Sequence, residues 1–285
     1  MSTKIADLFS IKGKVVAVTG AAGVLYGSIS KALAENGAKV ALLDILGDKV
    51  NAIADEIKAA GGEAIGIECS VLDAGQIQAA LDTIVETWGR CDVLINGAGG
   101  NQKAATVPPD GKFTDLDPDA LSRVFALNYT GTFLPSQVFC RHFAERGQGC
   151  IVNTSSMSAL APLTNVPGYS NAKAAVTNFT KWLAVQVKVD FPEANIRVNE
   201  IAPGFLVTTQ NKGLLYEDEG CTKLTKRGHS IIANTPMDRF GEPWELVGGL
   251  ILLMSDAGSF IDGITLPIDG GFDVYSGVGP LDEKK

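Results

Sequence analysis

Short apolar runs without polar alternation recur along this chain, separated by stretches whose apolar residues fall at helical intervals. Lys14-Val15-Val16-Ala17-Val18-Thr19 is the first such run and reads as a buried strand, followed by a glycine-rich turn and a helix from about Ser28 to Asn36. Further strands are predicted over Ala38–Leu43 (ending at Asp44), Glu63–Cys69, Asp92–Ile95, Cys150–Thr154, Ile196–Ile201 and Ile264–Ile268. Helices are predicted over Val50–Ala60, Ala74–Trp88, Pro118–Ala144, Pro167–Val189 and Glu242–Met254, with Pro135 kinking the long one or sitting on an adjusted turn. Strands that lack alternation and are separated by helices imply an α/β fold, with a parallel sheet covered on both faces. No composition break, repeat or low-complexity linker interrupts the sequence, so residues 1–285 read as one domain. Residues 205–240 fit the alternation least well. Their polar, charged character predicts a substrate lid or binding loop, the alternative being a disordered surface excursion.

Composition narrows the partners. With 24 basic and 32 acidic residues the formal charge is −8, which argues against nucleic acid as the main partner. It leaves room for a local basic pocket that takes an anionic substrate. Cys69, Cys91, Cys140, Cys150 and Cys221 are odd in number and irregularly spaced, with no CxxC, which favours reduced thiols in a cytoplasmic protein over disulfides or a zinc site. Met1–Ser10 lacks the apolar core of a signal peptide, and no apolar run reaches membrane-spanning length.

The candidate chemistry begins with Tyr169 and Lys173, four residues apart and therefore on one helix face. A fixed ammonium beneath a phenol favours the phenolate and lowers the phenol's pKa, which suits proton exchange with a carbonyl or alcohol oxygen. Ser156, thirteen residues earlier at a strand end, can bring a hydroxyl to the same place. Alone, the pair could equally be a surface helix with an exposed lysine.

Its company decides. Thr19 to Gly27 follows the first strand and opens a helix, where Gly20, Gly23 and Gly27 allow close approach of a pyrophosphate and the helix N-terminus offers free amides. Close helix–sheet packing would also need small residues there. Asp44, 24 residues beyond Gly20, can accept hydrogen bonds from an adenosine ribose and would repel a 2′-phosphate, which favours NAD over NADP. A helix N-cap would suit the same aspartate. Asn96-Gly97-Ala98-Gly99-Gly100 lets a flat ligand approach a strand end, or forms a tight turn.

Taken in order, Thr19–Gly27, Asn96–Gly99, Asn128, Ser156, Tyr169, Lys173 and Pro203-Gly204 resemble the short-chain dehydrogenase/reductase family over nearly the whole sequence. The resemblance implies a single Rossmann-type, doubly wound sheet with the dinucleotide across its C-terminal strand ends. It implies Tyr169 as acid/base and Lys173 as the group that holds the nicotinamide ribose. Ser156 would orient the substrate oxygen, and Asn128 would anchor a relay water. Cofactor contacts are implied for Val24, Leu25, Val71, Asn96, Ala98, Gly99, Pro203, Gly204 and Thr208. A homo-oligomer, commonly a tetramer, is implied as well. Two departures stand out. The glycines fall as G-x2-G-x3-G, one residue longer than the family's turn, which leaves open which amides meet the pyrophosphate. Ser70-Val71 stand where the family commonly has an aspartate, and Ser70 is left to bond the adenine.

A narrower likeness concerns the substrate. Gly23-Val24-Leu25, Asn96–Asn101, Leu134–Gln137, Thr235–Gly241, Asp269–Phe272 and Tyr275–Val278 are similar to those of the D-mannonate oxidoreductases, or fructuronate reductases, within that family. This implies exchange between D-fructuronate and D-mannonate with NAD(H); another sugar, polyol or 3-oxoacyl substrate, or a non-catalytic NAD(H) sensor, are the rival readings. Such a sugar acid needs a carboxylate partner. Asn101, Lys103, Lys212, Arg227 and His229 are the polar candidates, with Arg227 first because its fork matches a carboxylate. His142 reads as structural, and neither histidine has a partner at metal-ligand spacing.

Overall fold

A computed structural model describes residues 3–108, 110–208 and 211–278. Seven parallel strands form one sheet: β1 (Val15–Thr19), β2 (Lys39–Asp44), β3 (Glu63–Glu68), β4 (Val93–Asn96), β5 (Gln148–Thr154), β6 (Asn195–Pro203) and β7 (Thr265–Ile268). They lie in the order β3-β2-β1-β4-β5-β6-β7. Every residue of β1 is buried, as its unbroken run of apolar and β-branched side chains requires.

The helices in sequence order are α1 (Ile5–Leu8), α2 (Val24–Glu35), α3 (Gly47–Ala59), α4 (Ala74–Trp88), α5 (Pro118–Phe125), α6 (Gly131–Glu145), α7 (Met157–Leu160), α8 (Pro167–Asp190), α9 (Lys212–Leu215), α10 (Lys226–Ala233) and α11 (Glu245–Met254). One face of the sheet packs on Ile29, Leu33, Val50 and Leu250 from α2, α3 and α11; the other packs on Ile77, Phe139, Phe143 and Val187 from α4, α6 and α8. This is a Rossmann-type doubly wound fold. Among the described residues no helix is long and apolar enough to cross a membrane.

Where local punctuation is strong, the expected bounds hold. Asp73 caps α4 by accepting from the Gly75 and Gln76 amides, and Gly89 closes it at φ 77°. Two departures matter for the site. Helix α2 starts at Val24, four residues before the expected Ser28, because Gly23 already holds the extended N-cap conformation. The predicted helix over 118–144 has Pro135 inside α6. It widens into a π-turn at Ala126–Thr130, between α5 and α6, and Asn128 sits buried in its middle.

The polar segment after β6 carries two short helices in its described part; residues 209 and 210 lie outside the described residues. Helices α9 and α10 are joined by the Tyr216–Leu224 bridge, and Leu215, Ile231 and Phe240 form a small core of their own.

Candidate active site

The strand order reverses beside β1, whose neighbours β2 and β4 leave in opposite directions, so the loops after β1 and β4 part and open a crevice at the C-terminal edge. A cleft of about 430 Å³ lies there. Its floor is glycine for steric reasons. Gly20 has φ +71°, and a Cβ on it would come within 2.7 Å of the Ala98 Cα. Gly23, Val24 and Leu25 line the cleft at the start of α2, where no side chain caps the helix, so its first amides face outward for an anion. This geometry fits a dinucleotide pyrophosphate. Gly27 is buried inside α2 and does not line the cleft; a Cβ there would meet Ala21 and Ile53.

Asp44 lines the cleft at the end of β2. Its Oδ2 accepts from the Ala22 amide at 3.1 Å and its Oδ1 from the Leu46 amide at 3.1 Å, so it braces the glycine turn. It is not the N-cap of α3, a place taken by Leu46. Each carboxylate oxygen retains acceptor capacity for ribose hydroxyls. Glu68 is its register partner on β3, which puts a second carboxylate at this corner. Lys49, which no sequence motif singles out, also lines it.

Besides Gly27, four expected cofactor contacts are placed elsewhere. Ser70 serves the turn into α4: its amide donates to Gln76 and its hydroxyl accepts from Leu72, while Cys69 and Val71 line the cleft instead. The Asn96 side chain points into the interior, donating to Ser136 Oγ at 3.0 Å and to Asn153 Oδ1 at 2.9 Å. Gly204 lies against Asp269 and lines a separate cavity with Phe205, Met237 and Arg239; Pro203 ends β6 beside it. Ala98, Gly99 and Thr208 do line the cleft.

Four polar residues converge at its inner end. Tyr169 and Lys173 project from the same face of α8, with the Lys173 Nζ 5.7 Å from the Tyr169 ring centre. The amine is buried (3% exposed) and donates to the Thr154 carbonyl at 2.7 Å. Burial pulls its pKa down to about 8, opposed by the carboxyl of Glu200. Ser156 lies two residues past the end of β5 and caps α7, and its hydroxyl bonds the Tyr169 phenol. Asn128 Nδ2 donates to the Gly100 carbonyl at 2.7 Å and to the Val124 carbonyl at 2.8 Å, and its Oδ1 accepts from the Gly100 amide at 3.1 Å. A Cβ on Gly99 would lie 2.6 Å from Asn128 Oδ1 and 3.2 Å from Lys173 Nζ, which locates all three residues at one point.

The phenol's expected depression is reversed. Burial raises the Tyr169 pKa, and the Ser156 hydroxyl offsets only part of that rise. Lys173 spends its shortest bond on Thr154 and not on the phenol. The site therefore favours the protonated phenol, a proton donor. A second phenol, Tyr26 of α2, stands in the sequence simply as part of the glycine turn; it is buried and bonds the Thr154 hydroxyl, and burial, with a smaller contribution from nearby Tyr169, raises its own pKa. An aromatic among the glycines is the signal that could have found it.

The substrate candidates are not gathered here. Asn101 is exposed and donates to Thr106 Oγ1 at 2.9 Å, and Lys103 is exposed nearby. Arg227 and His229 are exposed on α10, Lys212 is half-buried on α9, and none of these lines the cleft. His142 accepts from the Cys91 amide at 3.1 Å, a structural role. Among the described residues no group of three His, Cys, Asp or Glu side chains is arranged to hold a metal ion.

Comparison with known proteins settles the class. The family model for the short chain dehydrogenase matches residues 14–219. The protein belongs to that family. It is an oxidoreductase of alcohol or ketone groups that uses a nicotinamide dinucleotide. An uncharacterized oxidoreductase from Bacillus subtilis is 45% identical over 94% of this sequence and 98% of its own length. The 5-keto-D-gluconate 5-reductase of Escherichia coli is 33% identical over 93% and 97%. Among solved structures, a candidate D-mannonate oxidoreductase from Haemophilus influenza with bound NAD matches at TM-score 0.87 and 43% identity, covering 96% of this protein and 100% of that one. A gluconate 5-dehydrogenase from Burkholderia cenocepacia, in complex with NADP and tartrate, matches at TM-score 0.81 and 28% identity over 94% and 98%.

Proposed function

We propose that this protein is an NAD-dependent oxidoreductase that interconverts the ketone and alcohol of an anionic sugar acid, with D-fructuronate and D-mannonate the pair to test first. The observation that carries this reading is the convergence of Ser156, Tyr169, Lys173 and Asn128 at the inner end of a glycine-floored cleft. A bound dinucleotide would supply or accept the hydride. Tyr169 gives its proton to the ketone oxygen in reduction and takes it back in oxidation. Ser156, bonded to the phenol, supplies a second donor to the oxygen as charge develops there. Lys173 holds the nicotinamide ribose, and Asn128 fixes the loop after β4 against the lysine and supports the proton relay.

NAD is favoured over NADP by the two carboxylates, Asp44 and Glu68, at neighbouring strand ends, where a 2′-phosphate would meet like charge. Lys49 opposes that preference without cancelling two acids. The sugar-acid class draws support from the relatives described above. In this reading residues 1–285 act as one domain and residues 205–240 are a lid; Arg227 meets a substrate carboxylate only when that segment closes. A homo-oligomer, with a tetramer favoured, draws support from Trp182 (52% exposed), Val185 and Val189 (67% each) along one side of α8.

The test is steady-state oxidation of NADH and of NADPH against D-fructuronate, 5-keto-D-gluconate, neutral ketoses and acyl thioesters. The reading expects the highest kcat/KM with a uronate or keto-aldonate and NADH. A clear preference for a neutral or apolar carbonyl rejects the sugar-acid assignment.

A further inference from the structure

Two buried hydroxyls beside Lys173 take no part in the chemistry above. Tyr26 and Thr154 line the inner cleft and are 3% and 8% exposed, and their side-chain oxygens are bonded to each other. Among the described residues neither hydroxyl has another hydrogen-bond partner. The phenol is fixed from two sides. Tyr26 is the third residue of α2, directly after Val24 and Leu25 at the cleft's pyrophosphate end. Its ring lies over Gly97, where a Cβ would come within 2.5 Å of the Tyr26 Cδ2, and the Gly97 amide is itself held by Thr19 Oγ1 at 3.1 Å. Thr154 is the last residue of β5. Its β6 neighbour is Ile201, but the pairing of β5 with β4 has already ended at Asn153. On that open side the Tyr26 hydroxyl takes the place of a strand partner. The Thr154 carbonyl is the acceptor of the Lys173 amine at 2.7 Å, and Ser156 follows two residues later.

We propose that Tyr26 is a positioning residue: its hydroxyl holds the end of β5 through Thr154, which fixes the carbonyl that aims the Lys173 amine and ties the glycine turn to the catalytic end of the cleft. The proposal rests on the reading of Lys173 as the group that holds the cofactor ribose. Three elements meet in this chain of contacts, α2 through the phenol, β5 through Thr154 and α8 through the amine. A pair that served only to satisfy two buried hydroxyls would behave differently. Removing one partner leaves the other unpaired and costs stability, whereas replacing both by apolar groups of the same shape is close to neutral. A positioning bond is not restored by that second replacement, because nothing then holds the carbonyl.

The test compares Tyr26→Phe, which keeps the ring and removes the hydroxyl, with Thr154→Val, which removes its partner and keeps the shape, and with the double variant. NADH affinity, read by fluorescence titration, needs no substrate and does not depend on the sugar-acid assignment. Y26F and T154V should each bind NADH about tenfold more weakly than wild type, the effect of one buried hydrogen bond, and each should have a lowered Tm. In the double variant the Tm should return towards wild type while NADH affinity stays as low as in the single variants. Thr154→Ser keeps a hydroxyl and should recover most of the affinity lost in T154V. Wild-type NADH affinity in Y26F overturns the proposal, and so does a double variant whose affinity returns together with its Tm. If T154V does not fold, Y26F alone decides. Lys173→Met separates the two possible failures. If it binds NADH as wild type does, the ribose reading fails and the proposal falls with it; if it loses affinity and Y26F does not, only the place of Tyr26 is wrong.

Discussion

Gly99→Ala asks for a methyl group where three fixed elements already meet. The added Cβ would sit 2.6 Å from Asn128 Oδ1 and 3.2 Å from Lys173 Nζ. Asn128 cannot swing away, because it is buried and its amide makes three hydrogen bonds to Gly100 and Val124. Relaxing the first contact to an ordinary separation near 3.5 Å requires a shift of about 1 Å in the loop after β4 or in the π-turn. Overpacking of this kind costs about 1–3 kcal/mol, and a broken buried hydrogen bond adds about 1–3 kcal/mol. A misplacement near 1 Å at a catalytic centre costs on the order of 10²-fold in rate. The expectation is a fall in kcat/KM of about 10²-fold with weakened NADH binding, and a Tm lower by about 2–4 °C for each kcal/mol lost. NADH-linked turnover, fluorescence titration and thermal denaturation measure the three. Gly248→Ala is the control, since no atom stands within 4 Å of the position a Cβ would take there. Wild-type turnover and NADH affinity in G99A would refute the claim that Asn128, Gly99 and Lys173 form one rigid cluster.

Three further outcomes follow from particular contacts. Asp44→Ser removes the carboxylate bond to the Ala22 amide and the ribose acceptor, so NADH should bind about tenfold more weakly, and the ratio of NADPH to NADH activity should rise. Because burial raises the Tyr169 phenol, the acid form persists through neutral pH; ketone reduction should dominate there, and alcohol oxidation should climb with alkalinity, as initial rates in both directions would reveal. Burial also pushes the thiols of Cys91 and Cys140 up to about 12 and that of Cys69 up to about 11, and raises Cys150, so a thiol reagent on the native protein should modify Cys221 rapidly and the other four slowly.

How far the sequence foretells each feature tracks how locally that feature is encoded. Helix α4 is bounded by a capping aspartate and a terminal glycine, two signals that act over a few residues. Tyr169, Lys173 and Ser156 are legible because helix spacing and a strand end carry them. The π-turn at Asn128 is not, since its cause is tertiary: the Asn128 amide bonds the loop after β4, which arrives from elsewhere in the sequence. Asn96 and Ser70 look like ligand contacts in one dimension because they follow strands. Only the packing shows that the first serves Ser136 and Asn153 and the second the turn into α4. The direction of the Tyr169 shift escapes the sequence for a related reason. Spacing brings an amine near a phenol, but burial and the Thr154 carbonyl decide what that amine does.

The central claim is that the Tyr169 hydroxyl is the proton donor in the cleft. Tyr169→Phe tests it most directly, with single-turnover NADH oxidation and NADH affinity measured on the same preparation. The account predicts that the rate of the chemical step falls by about 10²–10⁴-fold, the usual contribution of a positioned general acid, while NADH affinity stays near wild type. A variant that still oxidises NADH at a substantial fraction of the wild-type rate would contradict it.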